Sequence, residues 1–84
     1  MQDAAIKDQI SEFMSHSFSG ARIAHDQDIF EAGFGNSMFA MQLVNFVEVA
    51  FEIEVDSDDL DIDNFRSIDR VAALVQRKRE VAAA

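Results

Sequence analysis

The stretch Ser37–Phe51, SMFAMQLVNFVEVAF, constrains this chain more than any other. Eleven of its residues are apolar: Met38, Phe39, Ala40, Met41, Leu43, Val44, Phe46, Val47, Val49, Ala50 and Phe51. Its polar positions Gln42, Asn45 and Glu48, followed by Glu52, recur at spacings of three, three and four. That period is helical, and the polar stripe is so thin that apolar side chains wrap most of the helix. The segment is too short and too interrupted to span a bilayer. A chain of 84 residues cannot cover such a helix on every side, so some apolar surface is left for a partner.

The rest of the chain supplies what packs around it. Ile6, Ile10, Phe13, Met14 and Phe18 form one stripe of a helix predicted over about Asp3 to His16, with Asp3 near its start. From Ser17 to Asn36 no period holds, and Ser17, Ser19, Gly20, Gly33 and Gly35 punctuate the stretch. A connection of this length has to be packed or functional. Ile23, Ile29, Phe30 and Phe34 are its apolar anchors, and a single helical turn fits Ile29–Ala32. Glu52-Ile-Glu-Val55 reads as an extended connector with Ile53 and Val55 tucked inward, because no strand partner exists elsewhere. Asp58–Asn64 predicts a short third helix capped by Ser57 or Asp56. Ser67 caps a last helix to about Arg79, with Ile68, Val71, Ala72, Leu74 and Val75 inward and a frayed tail over 80–84. The fold class is therefore all-α, a bundle of three main helices plus one short helix, with a long first loop. One domain fills residues 1–84, its ordered part roughly 3–79.

Charge and composition narrow the function. Sixteen acids against seven basic residues give a net charge of −9, the wrong sign for a phosphate backbone or an anionic membrane. Proteins with basic patches are the expected partners, and a monomer is the expected state. The chain contains no cysteine, so neither a disulfide framework nor a thiolate metal site is available. That composition, with no signal peptide at the start, predicts a soluble cytoplasmic protein.

Ser37 stands where a Gly-punctuated loop meets the apolar helix. The open amides of a first helical turn and its positive dipole end favour an anion there, and they also suit a serine that merely caps. A hydrolytic nucleophile fails on pattern. Gly35 lies two before Ser37, but Phe39 stands two after it where glycine belongs, and no strand precedes the turn. His16 and His25 are the only histidines. Half of the acids fall in residues 48–63, and Asp59-x-Asp61-x-Asp63 imitates the start of a calcium loop. Its sixth position is Asn64 rather than glycine, and its twelfth is the cation Arg70 where a bidentate Glu belongs. A solvated acidic face is the simpler reading, so no metal site is assigned.

Taken together, Asp28-x-Phe30, Gly33, Asn36-Ser37-Met38, the helix through Phe51, Ile53-x-Val55 and Asn64-Phe65-Arg66-Ser67-Ile68 carry a family resemblance. The chain resembles acyl, peptidyl and D-alanyl carrier proteins over roughly residues 3–79. The resemblance implies a four-helix bundle without catalytic activity, carrying 4′-phosphopantetheine from coenzyme A on Ser37. It also implies as partners a phosphopantetheinyl transferase, an acyl- or aminoacyl-loading enzyme, and downstream synthases, transferases or tailoring enzymes. Asn36 departs from the Asp usual in acyl carriers. The run Asn36–Val44 looks most like free-standing carriers for unusual polyketide extender units, which points towards polyketide or nonribosomal assembly. The expected partner surface is Asn36, Met38, Phe39, Met41, Gln42 and Asn45, then Asp58, Asp59 and Asp61. The competing reading is a small acidic helical adaptor in which Ser37 is only a cap.

Overall fold

A computed structural model describes residues 3–18, 20, 22–31, 33 and 36–83. Three long helices, α1 (Asp3–Ser17), α2 (Ser37–Phe51) and α3 (Ile68–Ala83), enclose the core. Two 3₁₀ turns, η1 (Ser57–Asp59) and η2 (Ile62–Asn64), lie between α2 and α3, and no strand occurs among the described residues. The all-α bundle predicted from periodicity is the fold.

Ile6, Ile10 and Met14 of α1 meet Leu43 and Val47 of α2 and Ile68, Val71, Leu74 and Val75 of α3 in one buried cluster. The Lys7 ammonium, 3.0 Å from an Asp69 carboxylate oxygen, joins α1 to α3 at the rim. Phe13 and Phe18 fill the space towards α2. Phe13 stacks on Phe46 with centroids 4.3 Å apart, and Phe18 lies against Phe39 at 4.7 Å. Ile53 is buried and Val55 half-buried, as the extended connector requires.

The long first loop is packed. Ile29 is fully buried, and Ile23 and Phe30 lean on the core. One Asp28 carboxylate oxygen accepts from the N–H groups of Phe30 and Glu31, both at 3.0 Å, which forms the turn expected there. The Ile29 N–H donates to the Arg66 carbonyl at 2.8 Å, and the Asp69 N–H to the His25 carbonyl at 2.9 Å. The loop thus satisfies an open donor in the first turn of α3, whose other cap is Ser67 Oγ, accepting from the Arg70 N–H at 3.2 Å. The anchor Phe34, the punctuating Ser19 and Gly35, and Ala32 at the end of the predicted turn lie outside the described residues.

Three expectations need correction. Asp58–Asn64 is not one helix but two 3₁₀ turns separated by Leu60 and Asp61. Asp61 stops the first from propagating because its carboxylate accepts from the Asp63 N–H at 2.9 Å, which starts the second. The last helix does not fray after Arg79 but runs to Ala83. Glu48 is not simply a solvated position of α2. It is half-buried, and its carboxylate accepts from the Val55 N–H at 3.0 Å, which holds the connector against the helix.

The end of α2 explains the turn into that connector. Glu52 adopts φ 54°, ψ 49°, and the N–H groups of Glu52 and Ile53 both reach the Glu48 carbonyl. This left-handed close normally uses glycine, since a Cβ crowds the following carbonyl there. Beyond it, Lys78 of α3 inserts its ammonium between Asp56 and Asp59, at 2.8 and 2.7 Å. Hydrogen bonding to Lys78 and to the Asp56 backbone holds the Asp59 carboxyl below its ordinary value of 3.8. The same two aspartates push the Lys78 ammonium above 10.5.

Two outcomes are expected. Glu52→Gly raises stability by roughly 0.5–1 kcal/mol and Glu52→Val lowers it, both read by thermal denaturation. The Lys78 bridge needs an ionised Asp59 and a protonated Lys78. The stability difference between wild type and Lys78→Gln is therefore full in the mid-pH range. It shrinks as pH falls below 3.8 through the lowered Asp59 value, and again as pH rises above 10.5 through the raised Lys78 value. Chemical denaturation of both proteins across pH measures it.

Candidate functional site

The loop–helix join resolves into separate tasks for two neighbouring residues. Asn36 is extended (φ −146°, ψ 180°), and its side-chain oxygen accepts from the Phe39 N–H at 2.9 Å. Its carbonyl takes the first helical hydrogen bond, from the Ala40 N–H at 2.9 Å. Asn36 is therefore the cap of α2, and Ser37 occupies the first helical position, exposed to solvent. The reading in which Ser37 is only a cap falls, because its neighbour holds that role.

The same arrangement sets the local electrostatics. No described residue accepts from the N–H groups of Ser37 or Met38. The first turn of α2 contains no acid, although the chain carries sixteen. A neutral cap and an acid-free first turn leave the positive end of the helix uncompensated, at the hydroxyl of Ser37. The position suits an anionic ester.

Ser37 also stands on the rim of a cavity of about 420 Å³. Ala40, Met41 and Val44 of α2 form one wall. Phe30 closes it from the first loop, and Leu60, Ile62 and Phe65 close it from the turns before α3. The polar lining is Asn36, Ser37 and Asp61. Arg66 links the two outer walls, lying 3.5 Å from Asp28 under Phe30 and 3.0 Å from Asp63 of η2. A mostly apolar cleft opening at an exposed serine has the size and lining of a small-molecule site.

The predicted partner surface divides. Met38 and Met41 are 73% and 61% exposed, and Asn36, Gln42, Asn45, Asp58 and Asp61 are also at the surface. Phe39 is corrected: at 6% exposure it is core, because a residue two positions after Ser37 points across the helix towards Phe13 and Phe18. Asp59 is corrected as well, since Lys78 and the Asp56 N–H occupy its carboxylate. The calcium-like spacing brings no shared site. Asp59 serves Lys78, Asp61 caps η2 and Asp63 faces Arg66.

Sequence reasoning missed Leu60 and Ile62, 51% and 53% exposed at the cavity mouth. Their signal was visible as the only large apolar residues inside the run Asp56–Asp63.

Comparison with known proteins shows the family. Residues 4–75 match the family model described as "Phosphopantetheine attachment site". The chain belongs to this carrier-protein family. It is 34% identical over 55 residues to the D-alanyl carrier protein of Lactococcus lactis subsp. lactis strain IL1403, covering 66% of this chain and 70% of the relative. The corresponding proteins of L. lactis subsp. cremoris strains MG1363 and SK11 match to the same extent. Members of the family carry 4′-phosphopantetheine and are carriers rather than enzymes. A chain with an exposed serine, an apolar cleft and no thiol of its own fits that role.

Because Asn36 caps α2 through one side-chain oxygen, Asn36→Ala should destabilise the fold by about 1 kcal/mol, whereas Asn36→Asp should stay within a few tenths. Urea denaturation of the three proteins measures the difference.

Proposed function

We propose that this carrier holds an acyl or aminoacyl group as a thioester on 4′-phosphopantetheine attached at Ser37, and passes it to partner enzymes of polyketide or nonribosomal assembly. The observation that carries the attachment point is the exposed Ser37 at the first position of α2, with capping assigned to Asn36 and the neighbouring amides open. The prosthetic group, once bound, supplies the thiol that the cysteine-free chain lacks. Ser37 would offer its hydroxyl as the attachment point, and the open amides of Ser37 and Met38 would favour an anionic ester there. Met41, Val44, Leu60 and Phe65 would supply apolar lining beside it.

Met38 and Met41, flexible and exposed beside Ser37, suit a surface that meets several enzymes in turn. These partners are a phosphopantetheinyl transferase, a loading enzyme and the acceptors downstream. The acid excess favours basic docking sites on them and fast, salt-sensitive encounter.

A second reading of the cargo has its own support. The relatives from L. lactis are D-alanyl carrier proteins, which favours a D-alanyl thioester over an extender unit. Asp61, the acid in the cavity lining, agrees better with the ammonium of an aminoacyl group than with a second carboxylate.

The test begins with coenzyme A and a promiscuous phosphopantetheinyl transferase. A phosphopantetheine-sized mass gain on wild type and none on Ser37→Ala is expected, and no gain on wild type overturns the proposal. The loaded protein is then offered D-alanine with ATP and a D-alanine-activating ligase, or a malonyl-type unit with its transferase. Intact mass shows which thioester forms.

A further inference from the structure

Sulfur in this chain is confined to four methionines, since it contains no cysteine. Met1 lies outside the described residues, and the other three have opposite surroundings. Met14 is fully buried in the core, while Met38 and Met41 are 73% and 61% exposed. The exposed pair stands three positions apart in the first two turns of α2, on one side of the helix. Neither belongs to the core, which α2 supplies through Phe39, Leu43, Val44, Val47 and Phe51. Leucine or glutamine would serve an exposed helical position equally well. What a thioether adds there is a polarisable sulfur that peroxides oxidise.

Met41 is the better placed of the two to affect Ser37. It stands four positions after Ser37 on the same face, and helical side chains lean towards the preceding turn, here the one that Ser37 begins. With Ala40 and Val44 it forms the apolar wall of the cavity on whose rim Ser37 stands, and Met38 lines no part of that cavity. Oxidation turns a weakly polar thioether into a sulfoxide, whose oxygen is a strong acceptor. At Met41 that oxygen enters an apolar wall beside the Ser37 hydroxyl, where the N–H groups of the first helical turn offer it donors.

We propose that Met41, with Met38 beside it, is a site of reversible oxidation by peroxides, and that the Met41 sulfoxide hinders modification of Ser37. The sulfur donates an electron pair to one peroxide oxygen, the O–O bond breaks, and the second oxygen leaves as water. The thioether is oxidised by two electrons and the peroxide is reduced by two. A methionine sulfoxide reductase reverses the step with two electrons and two protons from a dithiol, releasing the oxygen as water. The effect on Ser37 rests on its role as the attachment point. The choice of Met38 and Met41 over Met14 does not.

The test treats the full chain, before loading, with hydrogen peroxide and locates the added oxygen by peptide fragmentation. Met38 and Met41 should be oxidised at least roughly tenfold faster than Met14, which peroxide reaches only when the core opens. Transferase loading of Ser37 should slow at least roughly fivefold while far-ultraviolet circular dichroism stays unchanged. Reductases for both sulfoxide epimers should restore it. Each variant is compared with its own untreated sample: Met38→Leu should keep the slowing and Met41→Leu should lose it. Amide chemical shifts give a readout that needs no loading. Oxidation should move the signals of Ser37, Ala40 and Val44 and leave those of the buried Ile10 and Leu74 in place.

Oxidation of Met14 as fast as Met41, or an unchanged loading rate after oxidation, would overturn the inference. So would slowing that persists in Met41→Leu, that the reductases do not reverse, or that accompanies loss of helix. If the untreated chain is not loaded at all, the carrier assignment fails, and the amide shifts alone then decide whether the Met41 sulfoxide acts at the Ser37 end of α2.

Discussion

The structure depends on helix α2 having more apolar surface than its own domain can cover. Leu43 and Val47 join the core shared with α1 and α3, Phe39 and Phe46 meet the phenylalanines of α1 and its outgoing loop, and Val44 lines the cavity closed by Leu60 and Phe65. Each contact draws in a piece of chain with little regular structure of its own. The described part of the first loop, the connector and the two 3₁₀ turns close over this helix. What they leave open on α2 is Met38, Met41 and Val49.

Polar groups hold the closing segments in place. Asp28 folds the turn that carries Phe30, and Arg66 ties it to η2. Glu48 holds Val55, and Lys78 holds Asp56 and Asp59. These are surface ion pairs and carboxylate–backbone bonds, individually modest. Their number matters because these segments have only short-range turn hydrogen bonds of their own. Several acids that look like a solvated face in sequence are thereby structural. Asp58 stays exposed in the acidic run, and Asp61 is exposed while it caps η2.

Asn rather than Asp before Ser37 has a physical consequence at this helix end. Both residues cap equally well through a side-chain oxygen. Only Asn does so without placing a negative charge beside the position where a phosphate ester would form. With no acid in the first turn of α2, the helix end keeps its full attraction for an anion.

Periodicity alone was enough to read the three long helices, their inward faces, the cap at Ser67 and the inward turn of Ile53 and Val55, because each depends on neighbours a few residues away. The resemblance to carrier proteins was likewise legible, since it rests on residue types at short spacing. Tertiary contacts decided the rest. Phe39 became core because α1 and its loop supply aromatic partners on that side. Asp59 became a structural ligand because Lys78, nineteen residues later in the chain, arrives beside it. Leu60 and Ile62 became cavity walls because two short turns replaced one helix. Local pattern determines which residues can form a helix and which side of it is apolar. Only the packed chain determines which part of that apolar side is covered and which, at Met38, Met41 and Val49, stays exposed.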